Sequence, residues 1–342
     1  MSNKTGNLKK YVLFIALPIL IFSGCSLKNT ADSGQTSGLK RETPASDPTP
    51  TNTPAPTSTP EPTSTPAPTD TPTPTPVPAS KNGYLDGETI GLDLSWKYAD
   101  MSAINTGESI MYLAKENRNN VIVAVNAGHG TYKGSSQKTY SHPDGSPKLT
   151  GGTTAAGSIM STAVSSGMEF NDGTAEAAVV LELAGYLKDY LLEAGFDVLM
   201  IRPSKDVQLD NVARTVIANN VADMHIAIHF NSDSYDYDVG AFYISVPDGL
   251  KTMEPVASVW EKHEILGEAL IDAVYAAGLP VRNGRSMDID LTQTSYSTIP
   301  SVDIEMGNQC SDHSSEKLKE QAAALKEGVE AAVKNLDLIA EN

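Results

Sequence analysis

Residues 121–130 have the sequence VIVAVNAGHG, and this stretch decides the fold. Its first part, from Val121 to Ala124, is an apolar run rich in β-branched residues, which predicts a buried strand. The Gly-His-Gly turn that follows marks the end of this strand. We therefore expect His129 at the carboxyl end of a sheet strand, where open α/β folds bind their ligands.

Outward from this strand, apolar runs alternate with segments of helical periodicity. Strands are predicted at 121–125, 196–201, 224–230, 240–246 and 301–305, with strand-like pieces at 90–94 and 110–114. Helices are predicted at 174–194, 207–220, 255–277 and 314–338, and the Gly/Ser/Thr-rich residues 131–173 show little periodicity. This alternation predicts a single α/β domain, with a mostly parallel twisted sheet covered by helices on both faces.

The first 80 residues carry signals for export. Three lysines precede an apolar run at residues 11–22 and small residues before Cys25, a pattern that predicts a bacterial lipoprotein signal peptide over 1–24. Two acyl chains on Cys25 would then anchor the chain stably to the cell membrane. Residues 25–80 form a Thr/Pro-rich linker, predicted to be disordered because it has little apolar surface to bury. In an extended polyproline conformation its central 36 residues would reach on the order of 110 Å.

Composition excludes some classes of partner. The formal net charge of −17 argues against nucleic-acid binding and against adhesion to anionic lipid through a basic patch. The chain has only two cysteines, so no intrachain disulfide is available if Cys25 is acylated. We expect Cys310 to be a small buried residue.

Three further acidic or imidazole side chains recur at the ends of predicted elements, as His129 does: Glu176, His229 and Glu305. Two histidines and one carboxylate, with an open fourth position, are the ligand set of a catalytic zinc ion. Bound zinc lowers the pKa of water to about 7 and so provides hydroxide for amide hydrolysis at neutral pH. Glu305 would take the proton of the water and pass it to the leaving amine.

Several other polar residues have simpler interpretations. We expect His225 to be structural, His142 to be exposed in its loop, and His263 and Glu264 to lie on a helix surface. Arg202 and Arg214 are interpreted as ion-pairing residues of the scaffold.

Seven segments carry a resemblance to a known family. They are Val125–Gly130, Glu176 with the leucine-rich helix after it, Glu193–Val198, Arg202, Arg214–Asn219, Ala222–Asn231 and Ile299–Gly307. Over about residues 119–340 the chain resembles the zinc-dependent N-acetylmuramoyl-L-alanine amidases of the amidase-3 family. The resemblance implies that His129, Glu176 and His229 bind one Zn²⁺ per chain and that Glu305 is the catalytic glutamate.

The resemblance also implies the substrate and the location. The substrate would be peptidoglycan, cleaved between N-acetylmuramic acid and L-alanine, by a lipoprotein that is anchored outside the cytoplasm and reaches into the wall. The domain boundaries would be 1–24 for the signal peptide, 25–80 for the lipidated Cys25 and linker, 81–118 for an N-terminal extension, and 119–342 for the catalytic domain.

The chain departs from the family pattern at four places. Asn126 stands where aspartate is frequent, Asn308 where an aromatic residue is common, and Ser311 where asparagine is usual. The loop between His129 and Glu176 is long, with 46 intervening residues. Such a loop is usually functional or disordered, and residues 131–173 could form either a gating lid or a wall that recognises substrate. Some family members have an inserted segment that a partner displaces, so a protein activator is a further implied partner.

Two other functions stay open on sequence grounds. One is another zinc amide hydrolase of the cell wall, a peptidase or a deacetylase. The other is a non-catalytic lipoprotein that binds the wall and keeps the fold as a ligand surface.

Overall fold

The computed structural model of the protein describes residues 78–339. The predicted signal peptide, Cys25 and nearly all of the Thr/Pro linker lie outside these residues. Within them, no helix has the length and apolar character needed to cross a membrane.

An eight-stranded sheet forms the centre of the described residues, and a separate two-stranded hairpin lies in the 131–173 segment. The strands are β1 (Thr89–Gly91), β2 (Glu108–Tyr112), β3 (Ile122–Ala127), β4 (Lys138–Tyr140), β5 (Met160–Thr162), β6 (Asp197–Met200), β7 (Met224–Asn231), β8 (Ala241–Ser245), β9 (Val281–Asp288) and β10 (Ser301–Asn308). The order in the large sheet is β1-β2-β6-β3-β7-β10-β8-β9, and the hairpin pairs β4 with β5. The four central strands β6, β3, β7 and β10 are parallel to one another.

Helices cover both faces of this sheet. They are α1 (Glu176–Glu193), α2 (Asn211–Val221), α3 (Trp260–Ala276), α4 (Thr292–Tyr296) and α5 (Ser315–Asn335). Helices α1, α3 and α5 lie on one face of the sheet, and their apolar side chains share one core cluster with Val123 and Val125 of β3. Helix α2 packs against the other face, where Ile122 and Ala124 of β3 point. The predicted α/β fold with a mostly parallel sheet and two helical layers is confirmed.

Two predicted helices have different limits in the structure. Helix α2 begins at Asn211 rather than at Val207, because the Asp210 side chain accepts a hydrogen bond from the backbone N–H of Ala213 and caps the helix there. The helix predicted from Pro255 is interrupted: a 3-10 turn at Val256–Ser258 precedes α3.

Three strands and one helix of the structure were not predicted from the sequence. Strand β9 has the sequence VRNGRSMD, whose polar character hides it, and α4 is only five residues long. The strands β4 and β5 lie within 131–173, so this segment has structure of its own and is not a featureless loop.

Candidate metal centre and active site

The parallel strands bring the predicted site residues to one edge of the sheet. His129 follows the end of β3, and His229 lies near the end of β7. Glu305 of β10 is the register partner of His229. Helix α1 begins with Glu176, which is buried beside them. All four predicted site residues line one cleft of about 670 Å³.

Three of these side chains converge on one point. His129 Nε2 lies 2.9 Å from Glu176 Oε1, and His229 Nδ1 lies 3.0 Å from His129 Nε2 and 3.2 Å from Glu176 Oε1. Zinc bonds of about 2.0–2.1 Å in tetrahedral geometry place neighbouring ligand atoms roughly 3.3 Å apart. The two imidazoles and the carboxylate therefore fit three ligands of a tetrahedral zinc ion. In residues 78–339 no other group of three or more His, Cys, Asp or Glu side chains is arranged to hold a metal.

Backbone groups orient Glu176 and His129. Phe230 donates its N–H to Glu176 Oε1 at 3.0 Å, and Met168 donates its N–H to Oε2 at 2.9 Å. His129 Nδ1 lies 3.0 Å from the carbonyl oxygen of Ser165. Since Nε2 faces the ligand cluster, Nδ1 is the nitrogen that donates to this carbonyl. Partners of this kind fix the tautomer and orientation of metal ligands.

Glu176 is ionised at neutral pH. Burial opposes the charged form, but hydrogen bonds with His129 and His229 outweigh it and hold the pKa of Glu176 well below its usual range. A deprotonated carboxylate is the form that binds a metal ion.

The pKa of Glu305 is shifted upwards instead. Burial raises this pKa to about 8; His229 acts against this rise, and the carboxylates of Glu176 and Asp303 add to it. Its Oε2 is buried and has no hydrogen-bond partner among residues 78–339. A carboxyl group whose pKa lies near neutrality is suited to accept and return a proton.

Close backbone packing brings the two histidines together. A Cβ atom on Gly128 would lie only 2.2 Å from the His229 ring, so no larger residue fits there without displacement. His129 itself has a positive φ of 62°, a conformation that costs free energy in a residue other than glycine.

Two buried arginines hold the loop that carries His129. Arg202 donates to the carbonyl oxygens of Ala127 and Gly128 at 2.9 and 3.0 Å. Arg214 donates to the carbonyl oxygen of His129 at 2.6 Å and to Oδ1 of Asn126 at 3.1 Å. The expectation of ion pairs was wrong: these guanidiniums bind carbonyl and amide oxygens. Their planar donor sets suit several acceptors at once.

We expect Arg214→Lys to loosen the His129 loop. An ammonium group cannot reach all the acceptors of the guanidinium, and buried acceptors left unpaired should lower the free energy of unfolding by roughly 2–4 kcal/mol. Zinc affinity should fall as well. Denaturant unfolding and zinc titration measure the two effects, and Arg285→Lys, in an exposed ion pair with Asp272, is the matched control.

The 131–173 segment is tied down by a buried carboxylate. Asp290, between β9 and α4, lies 3.0 Å from Lys148 Nζ and 3.2 Å from His142 Nε2, and accepts the N–H of Thr150 at 3.0 Å. His142 also lies 2.8 Å from the hydroxyl of Ser295. The expectation that His142 is exposed was wrong, because these polar partners, distant in sequence, bury it.

Asp290→Ala is expected to detach this segment while leaving His129, Glu176 and His229 in place. The change removes the carboxylate beside the buried Lys148, which keeps only the backbone carbonyl of residue 290 as an acceptor among the described residues. Breaking a buried ion pair typically costs about 3–5 kcal/mol. Limited proteolysis should then cut between residues 138 and 162, and KM for peptidoglycan should rise at unchanged zinc content. Asp248→Ala, which removes an exposed ion pair with Lys251, should change neither.

Other predicted residues have mixed outcomes. His225 is fully buried near the beginning of β7, as expected of a structural residue. His263 is buried and accepts a hydrogen bond from the N–H of Ser301 at 2.8 Å, so its placement on a helix surface was wrong. Cys310 is half-buried rather than buried, because it lies at the turn after β10 beside the carbonyl of Tyr235.

Asn308 and Ser311, two of the positions that depart from the family pattern, support the loop at residues 233–237. Asn308 donates its side-chain amide to Asp233 at 3.1 Å and to the carbonyl of Tyr237 at 3.0 Å. The Ser311 hydroxyl accepts the N–H of Asn308 at 2.9 Å. Both residues therefore fix residues 233–237 beside the cleft.

One carboxylate in the cleft and the backbone partners of His129 and Glu176 were not predicted from the sequence. Asp303 lines the cleft with Glu305, and burial raises its pKa to about 6, against a lowering effect of His229. An acid inside the apolar run 301–305 was a signal that could have found it. Met168 and Phe230 act through main-chain N–H groups and leave no such signal. Ser165 approaches His129 Nδ1 with both its carbonyl oxygen and its hydroxyl, each at 3.0 Å.

Comparisons with known proteins agree with this geometry. Residues 123–335 match the Amidase_3 family, described as N-acetylmuramoyl-L-alanine amidase. No curated protein matches the chain. The fold is similar to that of the N-acetylmuramyl-L-alanine amidase Ami1 from Mycobacterium smegmatis, with a TM-score of 0.54 and 17% identity over 64% of this chain and 100% of that one. A further similar structure is the N-acetylmuramoyl-L-alanine amidase AmiC2 of Nostoc punctiforme, with a TM-score of 0.46 and 18% identity over 65% of this chain and 99% of that one.

The family match covers more than half of the chain, and it spans the elements that carry the four site residues. The resemblance inferred from the sequence is thereby confirmed: the chain belongs to the N-acetylmuramoyl-L-alanine amidase family of cell wall hydrolases.

Proposed function

We propose that the chain hydrolyses the amide between N-acetylmuramic acid and L-alanine with one zinc ion, held by His129, Glu176 and His229, and with Glu305 as the proton carrier. The observation that carries this proposal is the convergence of three ligand atoms within 3.2 Å of one another in the cleft that Glu305 also lines. Zinc, when bound, polarises a carbonyl group and lowers the pKa of water.

Glu305 performs the proton transfers. Its carboxylate takes a proton from the attacking water while the new C–O bond forms. It then gives that proton to the nitrogen of L-alanine as the C–N bond breaks. The products are a muramoyl carboxylate and a stem peptide with a free amino group. Burial raises the pKa of Glu305 to about 8, which brings it closer to neutrality than that of an exposed glutamate and favours this role.

We further propose that residues 131–173 form a fixed wall of the cleft rather than a lid. Ser165 and Met168 near its end hold two proposed zinc ligands, and Asp290 anchors its middle. A lid would have to break these contacts in each cycle. Lys148 and the stretch 151–154 of this wall line the same cleft as the proposed metal ligands.

The proposed location follows from the N-terminal sequence. A lipid anchor on Cys25 and an extended Thr/Pro linker would place the catalytic residues outside the membrane, within reach of peptidoglycan. A protein activator is a further proposed partner.

Mass spectrometry of digested peptidoglycan tests the proposed bond specificity. The full chain is incubated with isolated peptidoglycan, and the new ends are identified. We expect stem peptides that begin with the free amine of L-alanine. Cuts inside the stem peptide would indicate a peptidase, loss of acetyl groups would indicate a deacetylase, and binding without products would indicate a non-catalytic wall protein.

A further inference from the structure

Asp303 is a buried carboxylate that the proposed mechanism does not use. It precedes Glu305 by two residues on β10, so both side chains lie on the same face of the sheet and line the same cleft. Asp303 is only 8% exposed, and its Oδ1 has no hydrogen-bond partner among residues 78–339. An unpartnered buried carboxylate is destabilising, so its presence calls for a functional explanation.

The position of the His229 ring supplies a functional explanation for Asp303. Its Nδ1 is the atom that meets the other two ligands, at 3.0 and 3.2 Å. Its second nitrogen, Nε2, lies 3.9 Å from Oδ2 of Asp303, the only such pairing of Asp303 with a basic side chain within residues 78–339. A neutral imidazole that binds a metal through Nδ1 carries its proton on Nε2.

The other two proposed ligands already have orienting partners. His129 has the carbonyl of Ser165, and Glu176 has the N–H groups of Met168 and Phe230. His229 has no comparable partner on its Nε2 side apart from Asp303 among the described residues. Carboxylates commonly take this position behind a metal-binding histidine.

We propose that Asp303 is the positioning residue of His229: it accepts the Nε2–H and so keeps Nδ1 free to bind the metal. This inference rests on the zinc centre of the proposed function. A movement of about 1 Å brings the two atoms from 3.9 Å to hydrogen-bond distance. Asp303 touches no reacting atom in this role and acts only through His229.

Zinc affinity of the full chain tests the proposal, measured by competition with a chromophoric chelator. Asp303→Leu should weaken zinc binding about 10- to 100-fold, the usual effect of removing such a partner. Asp303→Asn should weaken it less, because the amide oxygen still accepts a hydrogen bond. The melting temperature of metal-free Asp303→Leu should equal or exceed that of the wild type, since an unpartnered buried carboxylate is gone.

The variant Glu305→Gln distinguishes a hydrogen bond from Asp303 to His229 from a purely electrostatic effect of any nearby carboxylate on His229. Glu305, when ionised, also acts electrostatically on His229, but it does not lie against Nε2 in the described contacts. We expect its variant to retain zinc affinity within about threefold. An equal loss in Asp303→Asn and Glu305→Gln would overturn the proposal in favour of a field effect.

The remaining outcomes are equally decisive. Wild-type chain that binds no zinc would overturn the metal centre and this inference with it, whereas Asp303→Leu that binds zinc as tightly as wild type would overturn this inference alone. If Asp303→Leu does not fold, ¹⁵N NMR of the zinc-loaded protein decides the matter. The His229 Nε2–H proton should resonate far downfield and move upfield in Asp303→Asn; an unchanged resonance would contradict the proposal.

Discussion

Glu305→Gln is expected to lower kcat for peptidoglycan hydrolysis by about 10²- to 10⁴-fold, the usual contribution of a positioned general acid–base. Glutamine has nearly the same size as glutamate, so the cleft and the ligand cluster should keep their geometry. It cannot take a proton from water or return one to the leaving nitrogen. Zinc should remain at one equivalent per chain, because Glu305 is not one of the three converging ligands.

The measurement is the rate of release of free L-alanine amines, with metal content determined on the same samples. Glu316→Gln, a change of the same kind at an exposed position of α5, is the matched control and should retain full activity. Turnover of Glu305→Gln near the wild-type rate would exclude Glu305 as the proton carrier.

His229→Ala is expected to abolish both zinc binding and hydrolysis. Two ligands remain, which is one fewer than the three protein ligands of catalytic zinc sites. In the wild type, zinc should raise the melting temperature, because a ligand that binds only the folded state stabilises it by about 4 kcal/mol at 1,000 times its Kd. The variant should show no such rise.

His313→Ala provides the control for this experiment. His313 is partly exposed and lies 3.2 Å from Asp172, away from the ligand cluster. Its variant should bind one zinc and show the wild-type increase in melting temperature. Retention of tight zinc binding by His229→Ala would mean that the metal is held by a different set of side chains.

Much of the fold could be predicted because the central strands are almost entirely apolar. Residues 122–125 and 198–200 are buried on both faces, so they appear in the sequence as continuous apolar runs. Helix α1 was equally clear, since its leucines recur at helical spacing. Strand β9 escaped prediction because it lies at a sheet edge and is largely polar.

The clustering of three of these side chains could be expected for a related reason. The carboxyl ends of parallel strands lie at one edge, so His129, His229 and Glu305 were expected there once their strands were assigned; the order of the strands, which makes them neighbours, comes from the structure. The supporting contacts could not be predicted in the same way. Arg214 binds the carbonyl of His129, 85 residues away, and Asp290 binds Lys148 across 142 residues. Every residue has a backbone carbonyl group, so the sequence does not indicate which of them will accept these hydrogen bonds.

The same limit explains the errors about His142 and His263. Both were judged from their immediate neighbours in sequence, and each is buried by a partner from a distant element, Ser295 and Ser301 respectively. The hairpin of β4 and β5 was missed because each strand has only three residues.

The central claim is that one zinc ion at the three-ligand cluster makes this chain an amidase. Its most direct test is to titrate zinc into metal-free full chain while measuring the release of L-alanine amines from peptidoglycan. The account predicts no activity without metal, a linear increase up to one equivalent, and a plateau thereafter. Full activity in the metal-free chain, or a plateau reached only at two equivalents, would contradict it.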